Sequence, residues 1–331
     1  MNKKAFTLVE LLAVIVVLAV ILVIAIPNVI KIIDKAKLDA YKRNEDLLVN
    51  ATRNYLAGNS NRAPINIGET TIIDITELQS NNIIQNIKDV KSDSNCLGQV
   101  TVTKKTVNEY SYSPYIECGN NYKTAEYIKD GLVLYLDGFD APIGNVWKDR
   151  SGNNNDATMV GFDASSGYDI NNKTYVFDGT NDYMTSAMQV GDIFTIQVVV
   201  KLTKLTNYNG LVTLQNNLTR TVALGPHFPN KLLYFGNSSW AENGTWNNVS
   251  AKYLHTYIYK KNDVFTLYTN TTKYISTLTG GVTYGNENII IGNCTWGYLK
   301  GNLYSIRIYN RELTAQEVEY NYNIDKIKFG L

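Results

Sequence analysis

The chain has 331 residues, a net charge of +1 and only 18% charged residues. This length accommodates two or three domains, and the near-neutral charge excludes the basic footprint of a typical nucleic-acid-binding protein. Aromatic residues make up 11% of the chain, with 24 tyrosines among them, a composition typical of an exposed, sheet-rich protein.

The first predicted element is an apolar segment, residues 6–26, which is long enough to cross a bilayer as a helix. It contains Thr7 and Glu10, and a carboxylate inside hydrocarbon costs roughly 2.5–3.5 kcal/mol on insertion scales. A secretory signal peptide would have a shorter apolar core and a clearer cleavage site. A plain transmembrane anchor fits the length but leaves Glu10 unexplained, and lysines on both sides leave its orientation open.

The string "KKAFTLVELL" accounts for the carboxylate, because it closely resembles the leader junction of type IV prepilins. The resemblance implies a leader of residues 1–5, cleavage between Ala5 and Phe6, and N-methylation of Phe6. The family usually has Gly before the cut, so Ala5 departs from its pattern. Cleavage would place a new ammonium four residues from Glu10 on the same helix face. In an assembled filament, Glu10 would pair with the Phe6 ammonium of a neighbouring subunit and so set the register of assembly.

The residues from Pro27 onward predict a kinked, amphipathic continuation of this helix to residue 57. A proline inside a helix removes a backbone hydrogen bond, and pilins commonly carry one at this point, so the resemblance gives Pro27 a part in assembly. An apolar stripe then recurs at helical spacing: Ile33, Ala36, Ala40, Leu47, Ala51 and Tyr55. Gly58 and the string "GNSNRAP" end the helix, which would be roughly 80 Å long.

Residues 58–128 predict a small β-rich head. The strings "TTIIDI", "QVTVT" and "YSYSPYIEC" alternate like strands, and the region resembles the head of Gram-positive pilins, in which a sheet packs on the outer half of the long helix. Cys96 and Cys118 would share one compartment beyond the anchor, where a disulfide closing a loop of about 20 residues contributes about 3 kcal/mol. The alternative is that both are unpaired small hydrophobes. Cys294 is expected to be buried and inert.

Residues 129–331 predict an antiparallel β-sandwich of jelly-roll size, with turn clusters between alternating strands. The predicted fold class is therefore α+β, a long pilin helix with a small β head followed by an all-β jelly roll. The strings "WKDRSGNNNDATMVG", "FDGTNDYM" and "GYLKGNLYSIRIYNRELTAQEVEYNY" closely resemble the laminin-G-like, concanavalin A-like lectin/glucanase group. The last string predicts a closing strand and a helix capped by Thr314 and Glu317.

In that group the Asp and Gly residues of the first two strings mainly fix turns. Some relatives use such carboxylates to hold Ca²⁺, which leaves Ca²⁺ as an alternative role here, and no cofactor is required. The residues concerned are Asp149, Asp156, Asp178 and Asp182. The usual Trp-His-His strand of the group is absent in that form, and Trp246 or His255 stands nearest to it.

A lectin site needs a flat aromatic side chain for the apolar face of a sugar, and amides or charges for its hydroxyl groups. Candidates occur in turn-like stretches rich in Trp, Asn and Gly, although core packing is the alternative for each tryptophan. They are Trp240, Trp246, Trp296, Tyr298, Arg220, Asn216 and Asn217. Trp147, which precedes the first turn motif, is expected in the core.

An enzyme is not expected. Glucanases of this superfamily place paired carboxylates on one strand, commonly as E-x-D-x-E, and that string does not occur after residue 130. With His227 and His255 as the two histidines of the chain, a Ser-His-Asp or histidine-metal site is also poorly supported. Hydrolysis of a glycan is therefore the least favoured alternative.

The two resemblances together imply a minor type IV pilin that displays a lectin-like adhesion module. A module of about 200 residues would crowd a close-packed filament, so a place at or near the pilus tip is expected. The structural alternative is a major pilin or pseudopilin with a non-binding head. Expected partners are other pilin subunits, the prepilin peptidase, the pilus assembly platform and host or surface glycans, with no nucleic acid. The subunit would be a single-pass cytoplasmic-membrane protein before assembly and part of an extracellular pilus afterwards.

Overall fold

The computed structural model describes the backbone of residues 8–191, 193–204, 209–216, 219–227, 231–236, 239–243, 251–260, 264–277, 287–294 and 297–331. It describes their side chains except at 20–25, 27–28, 215–223, 225–243, 276–277 and 287. The chain divides between Thr124 and Ala125 into two compact units. We call residues 8–124 the stem unit and residues 125–331 the sandwich unit.

The division lies a few residues before the boundary at 128/129 that the sequence suggests. Tyr127 donates a 2.7 Å hydrogen bond to Asp325, and the backbone N–H of Ile128 donates a 3.1 Å bond to Asn321. Both acceptors lie in the last helix of the chain. The segment that reads as a connection is therefore tied into the sandwich unit.

Helix α1 runs from Leu8 to Gly58 and passes through Pro27 without interruption. Its second half buries six residues at helical spacing against the head: Tyr41, Leu48, Ala51, Thr52, Tyr55 and Leu56. The predicted stripe is wrong at Leu47, which is 51% exposed, because the neighbouring Leu48 takes the buried position. It is also wrong at Ile33 and Ala36, which lie on the exposed part of the helix. Among the residues with described side chains, no helix is long and apolar enough to cross a membrane.

The head is a four-stranded antiparallel sheet that packs on α1, as predicted. Its strands, in spatial order, are β1 (Thr70–Asp74), β2 (Leu97–Lys104), β3 (Tyr110–Cys118) and β4 (Tyr122–Lys123). A 3₁₀ turn covers Ser60–Arg62. The short helix α2 (Ile75–Ser80) follows Asp74, whose side chain caps its N-terminus. Ile73, Val100 and Ile116 join Leu48 and Tyr55 in one core. The Cys96–Cys118 disulfide is present, which confirms that prediction.

Asp89 fastens the loop between α2 and β2 to the rest of the head. It is 2% exposed and accepts hydrogen bonds from Tyr41 of α1, from the backbone N–H of Lys91 and from Asn121. Burial opposes its charge, but the hydrogen bonds from Ser92 and Tyr41 outweigh that cost and hold the pKa of Asp89 well below its usual range. The loop is therefore anchored at its centre.

The sandwich unit contains two eight-stranded antiparallel sheets and a two-stranded ribbon within the described residues. Its strands are β5 (Leu132–Asp137), β6 (Val146–Trp147), β7 (Ala157–Val160), β8 (Gly167–Asp169), β9 (Thr174–Asp178), β10 (Tyr183–Ser186), β11 (Phe194–Leu202), β12 (Val212–Asn216), β13 (Thr219–His227), β14 (Lys231–Gly236), β15 (Ser239–Asn243), β16 (Tyr253–Lys260), β17 (Val264–Thr269), β18 (Thr272–Thr277), β19 (Glu287–Ile291), β20 (Asn293–Cys294), β21 (Gly297–Tyr298) and β22 (Lys300–Tyr309).

The front sheet has the order β15-β14-β13-β12-β19-β10-β7-β6. The back sheet has the order β18-β17-β16-β11-β22-β9-β8, with β5 also paired to β22. Successive side chains of a strand point to opposite faces, so alternate residues of each sheet enter one shared core. Ile306 and Ile308 of β22 and Met184 of β10 are examples, each fully buried. This arrangement confirms the predicted β-sandwich.

Helix α3 (Ala315–Phe329) covers the outer face of the back sheet. The Thr314–Glu317 capping box that starts it is present, as predicted. Two fully buried ion pairs lie beneath it, Arg307 with Asp325 and Lys328 with Asp137. The charge of Asp325 outweighs the cost of burial and raises the pKa of Arg307 above its ordinary value. The last helix is thus fixed to the sheet by charged side chains as well as apolar ones.

Candidate functional site

The loops at one end of the sandwich bring several of the candidate residues together. The register pairs Tyr183 with Val160, Asp178 with Lys300 and Asn293 with Tyr298. The turns that follow β7, β9 and β19 therefore meet at the same end, which we call the loop end. Asp178, Asp182 and Tyr298 lie there. Trp296 lies outside the described residues.

The first acidic turn motif is a hydrogen-bonded turn between β6 and β7. Asp149 accepts the backbone N–H groups of Tyr135, Ser151 and Asn155 at 2.8–2.9 Å. Asp156 accepts the N–H of Asp149 at 2.9 Å and the Lys148 ammonium at 2.6 Å. Their oxygens are thus engaged by donors within the protein. This arrangement matches the turn-fixing role implied by the family resemblance.

The second acidic turn motif joins β9 to β10. Asp182 is fully buried; it accepts the backbone N–H of Asp178 at 2.8 Å and the Ser166 hydroxyl at 3.2 Å. Gly179 in this turn has φ +83°, and a side chain there would strike Lys300. Burial, assisted by the neighbouring Asp178 carboxylate, raises the pKa of Asp182. The Asp182 carboxyl group therefore holds the turn through its hydrogen bonds, although its burial there disfavours its charged form.

The four candidate calcium ligands do not form one cluster. Asp156 directly precedes β7, whereas Asp182 directly precedes Tyr183, which pairs with Val160 at the other end of β7. The strand thus separates the two acidic turns. Throughout the part of the chain that the structure describes, no group of three or more His, Cys, Asp or Glu residues could hold a metal ion.

The candidate sugar-binding residues fall in three places. Arg220 pairs with Gln215 in the β12–β13 hairpin, and Asn216 pairs with Glu287, at the end of the front sheet away from the loop end. Trp240 pairs with Phe235 in β15, the edge strand of that sheet. Tyr298 is at the loop end and half-buried. Trp246 and Asn217 lie outside the described residues. The structure thus puts Arg220, Asn216 and Trp240 on one sheet but Tyr298 apart from them.

A row of half-buried side chains on the outer face of the front sheet was missed by the sequence reasoning. Thr185 of β10 pairs with Thr158 of β7 on one side and with Ile290 of β19 on the other. Tyr183 lies two residues from Thr185, on the same face. The same register leads from Ile290 to Thr213 of β12, which is fully buried and donates a 2.7 Å hydrogen bond to the carbonyl of Asn293. Beyond it the register continues through β13 and β14 to Trp240. The alternation in "YMTS" could have indicated that Tyr183 and Thr185 share one face of a strand. The sequence does not show which strands lie beside it, and the row depends on that strand order.

Three other residues singled out from the sequence are buried. Trp147 is fully buried and donates a 2.9 Å hydrogen bond to the carbonyl of Asp137, which confirms its core position. Cys294 is a buried free cysteine, as expected. His255 is also fully buried, and burial lowers its pKa to about 3. A neutral, enclosed imidazole is a poor candidate for contact with a dissolved ligand.

The raised pKa of Asp182 predicts a specific pH dependence for Asp182→Asn. A carboxyl whose pKa is higher in the folded state stabilises the fold only while protonated, and that contribution is lost as pH rises through the folded-state pKa. The stability of the variant relative to the wild type should therefore improve between about pH 4, near the unfolded pKa, and pH 7. Urea unfolding of both proteins at each pH measures this difference.

Asp156→Asn serves as the control, because hydrogen bonds from Asp149 and Lys148 outweigh burial and lower the pKa of Asp156. Its relative stability should instead worsen as pH rises to about pH 4, near the unfolded pKa, and stay nearly constant above it, since its charged form is the stabilising one. The same trend for both variants would contradict the role assigned to Asp182.

Sequence comparisons identify two known families in the chain. Residues 1–26 match the prokaryotic N-terminal methylation motif, and residues 178–319 match the concanavalin A-like lectin/glucanases superfamily. Both resemblances found in the sequence are thereby confirmed. A comparison with curated proteins gave no match.

Comparisons with solved structures gave matches at low identity. Domain 4 of an extracellular arabinanase from Geobacillus stearothermophilus, in complex with arabinotriose, is 16% identical, with a TM-score of 0.46 over 57% of this chain and 96% of that domain. The sialidase of Trypanosoma rangeli, in complex with sialic acid, is 14% identical, with a TM-score of 0.47 over 72% of this chain and 43% of the sialidase. Botulinum neurotoxin type C is 12% identical, with a TM-score of 0.47 over 60% and 52%. Likenesses at this level do not bear on ligand or activity.

Proposed function

We propose that this chain, which carries an N-terminal methylation motif and a concanavalin A-like β-sandwich, is a minor type IV pilin that displays a lectin-like adhesion module. The observation that carries the proposal is the placement of the two motifs on two separate compact units of one chain. The methylation motif opens the long helix of the stem unit. The concanavalin A-like match lies wholly within the sandwich unit.

Assembly into a pilus gives Glu10 its role. In the proposed pathway the prepilin peptidase cuts between Ala5 and Phe6, while residues 6–26 hold the subunit in the cytoplasmic membrane. A carboxylate in hydrocarbon is costly unless it is paired. The ammonium created on Phe6 of a neighbouring subunit is a partner that exists only after cleavage. Assembly on the pilus platform then moves the apolar helix from lipid into the filament.

Glu10→Ala should reduce incorporation into pili while leaving leader cleavage and membrane insertion largely intact. The reason is that the substitution removes one partner of a contact made only between assembled subunits. Quantitative immunoblots of sheared pili and of the membrane fraction measure both pools. Glu109→Ala, at an exposed carboxylate of the head, is the control and should assemble normally. Normal amounts of the Glu10 variant in sheared pili would contradict the assembly role.

The sandwich unit is proposed to bind host or surface carbohydrate without catalysis. The front sheet supplies half-buried hydroxyl and apolar side chains in one row, a surface suited to a shallow site with few contacts. One or two stacked aromatics and a few hydroxyl contacts make a small interface, so each copy would bind weakly. Display of several pili would raise the effective concentration and supply avidity. The absence of an E-x-D-x-E string after residue 130 supports binding rather than hydrolysis.

A glycan array probed with residues 125–331, with and without Ca²⁺, tests the adhesion proposal. Binding to a defined group of glycans supports it, and loss of binding without Ca²⁺ would assign a role to the metal. Immunogold labelling of intact pili tests the placement, because a minor tip subunit gives labels at or near the ends. Continuous decoration combined with a blank array would favour a major structural pilin. Release of sugar from any bound glycan would favour a hydrolase.

A further inference from the structure

The outer face of the front sheet carries half-buried side chains side by side on β6, β7, β10 and β19. Val146 pairs with Thr158, Thr158 with Thr185, and Thr185 with Ile290. Tyr183 lies beside them on β10, two residues from Thr185 and on the same face, and it is also half-buried. We call these five residues the front row. Neighbouring strands lie about 4.8 Å apart, so the front row is roughly 14 Å long.

The β20–β21 ribbon bounds the front row on one side. Ile290 pairs with Thr213 of β12, which is fully buried although it belongs to the same face of the sheet. The hydroxyl of Thr213 donates a 2.7 Å hydrogen bond to the carbonyl of Asn293, the first residue of the ribbon. The ribbon therefore covers the sheet at β12, and the accessible part of the row lies between β6 and β19.

Three hydroxyl groups of the front row are free to bind a ligand. Those of Thr158, Tyr183 and Thr185 form no hydrogen bond with any residue that the structure describes. The hydroxyl of Ser186, which points to the other face of β10, instead donates a 3.0 Å hydrogen bond to the carbonyl of Asn155. A hydroxyl group can both donate and accept hydrogen bonds. The three groups therefore match the hydroxyl groups of a sugar, which can do the same.

The strands of the front row offer no cation to an acidic ligand. Strands β6, β7 and β10 contain no charged residue, and the one charged residue of β19 is Glu287, itself a carboxylate. Where β6 ends and β7 begins, the Lys148 ammonium is paired with Asp156 at 2.6 Å. An anionic group placed against the row would lose water without gaining an opposite charge, which is costly. The row therefore suits an uncharged ligand.

We propose that the front row binds a neutral sugar unit and disfavours sugars that carry a carboxylate or a sulfate, an inference that rests on the proposed adhesion function. Thr158, Tyr183 and Thr185 would form hydrogen bonds with the sugar hydroxyl groups. Val146 and Ile290 would contact the apolar C–H groups of the sugar ring. A longer glycan would extend past the ribbon towards the part of the front sheet formed by β13, β14 and β15.

Binding of matched oligosaccharides to the full-length subunit in detergent tests the proposal. Each pair consists of a neutral oligosaccharide and a counterpart in which every sugar unit carries a carboxylate or a sulfate. The neutral member should bind about tenfold more tightly or better, the effect expected for one charged group left without a partner. Equal or tighter binding of the anionic members would overturn the inference and leave the adhesion function standing. Absence of binding to every neutral and anionic glycan would overturn the proposed function, and the inference with it.

Thr185→Val tests whether the front row is the site of binding. It removes the central hydroxyl group but keeps the shape of the side chain, so binding of the neutral glycans should weaken about two- to tenfold, the usual effect of one hydrogen bond. Thr272→Val, the same change at an exposed position of the back sheet, is the control and should bind like the wild type. Thr158→Val repeats the test on β7 if melting curves show that Thr185→Val does not fold. Unchanged neutral binding by the folded variant would overturn the inference.

Discussion

Asp325→Asn should lower the free energy of unfolding of the sandwich unit by about 3–5 kcal/mol, the usual cost of leaving one buried charge without its partner. Asp325 and Arg307 are fully buried and form a two-bond ion pair beneath α3, with Nη1 of Arg307 3.0 Å from Oδ1 of Asp325. Asparagine preserves the shape of the side chain but removes its charge. Arg307 would therefore remain a buried cation without compensation.

Urea unfolding of residues 125–331 at pH 7 measures this loss. Glu312→Gln is the matched control, because Glu312 pairs with Lys260 at 2.6 Å on the surface, where the two side chains are 40% and 45% exposed. An exposed pair of this kind contributes about 0–1 kcal/mol. Equal effects of the two substitutions would contradict the buried-charge account.

The double variant Arg307→Met/Asp325→Leu separates the charge from the packing. Removing both charges should cost less than the sum of the two single substitutions, because no ion is left buried alone. The hydroxyl of Tyr127 would still lose its acceptor, since it donates to Asp325 at 2.7 Å. We therefore expect partial recovery, and additive losses would show that the two residues act independently.

Trp240→Ala should abolish the carbohydrate binding proposed for the sandwich unit while leaving its melting temperature almost unchanged. Trp240 lies in the edge strand of the front sheet, in the register row that leads across the sheet to Ile290 and Thr185. A tryptophan that serves as a stacking platform contributes mainly to the ligand contact and little to the core. Binding to glycans identified on the array and thermal melting are measured on the same preparations, and Trp246→Ala and Trp296→Ala complete the series.

Trp147→Ala is the control for a structural tryptophan. Trp147 is fully buried, 4.0 Å from the ring of Tyr175, and its truncation should cost about 3–5 kcal/mol. A Trp240 variant that behaves like Trp147→Ala would place Trp240 in the core. If all three candidate substitutions lower stability and none removes binding selectively, the carbohydrate-binding residues are wrongly assigned.

The elements that the sequence predicts well are those with local signals. The disulfide, the strands β1–β3 and the capping box at Thr314 and Glu317 each follow from residues close together in the chain. The buried face of α1 shows the limit of such signals. Leu47 and Leu48 are adjacent and equally apolar, so periodicity alone does not choose between them. The head core makes the choice by covering Leu48.

The features that the sequence does not predict depend on strands far apart in the chain. Arg and Asp usually lie at the protein surface, so the sequence gives no sign that Arg307 and Asp325 are buried. Only the position of α3 over β22 buries them together. The row through Thr158, Thr185 and Ile290 joins three strands from distant segments. The four acidic candidates likewise look like one group in the sequence, whereas β7 separates them into two turns. Burial and register, rather than residue type, decide these cases.

The tie between the start of the sandwich unit and its last helix has a mechanical consequence. A ligand held by this unit would pull on the chain at Ala125, and tension entering there reaches Tyr127 and Ile128 before it reaches β5. Both residues are bonded to α3, through Asp325 and Asn321. Helix α3 is itself fixed to β5 by Lys328 and Asp137. A force applied at Ala125 is therefore shared between the first and last segments of the unit. Pulling on the chain there does not detach β5 from the sheet without also loading α3.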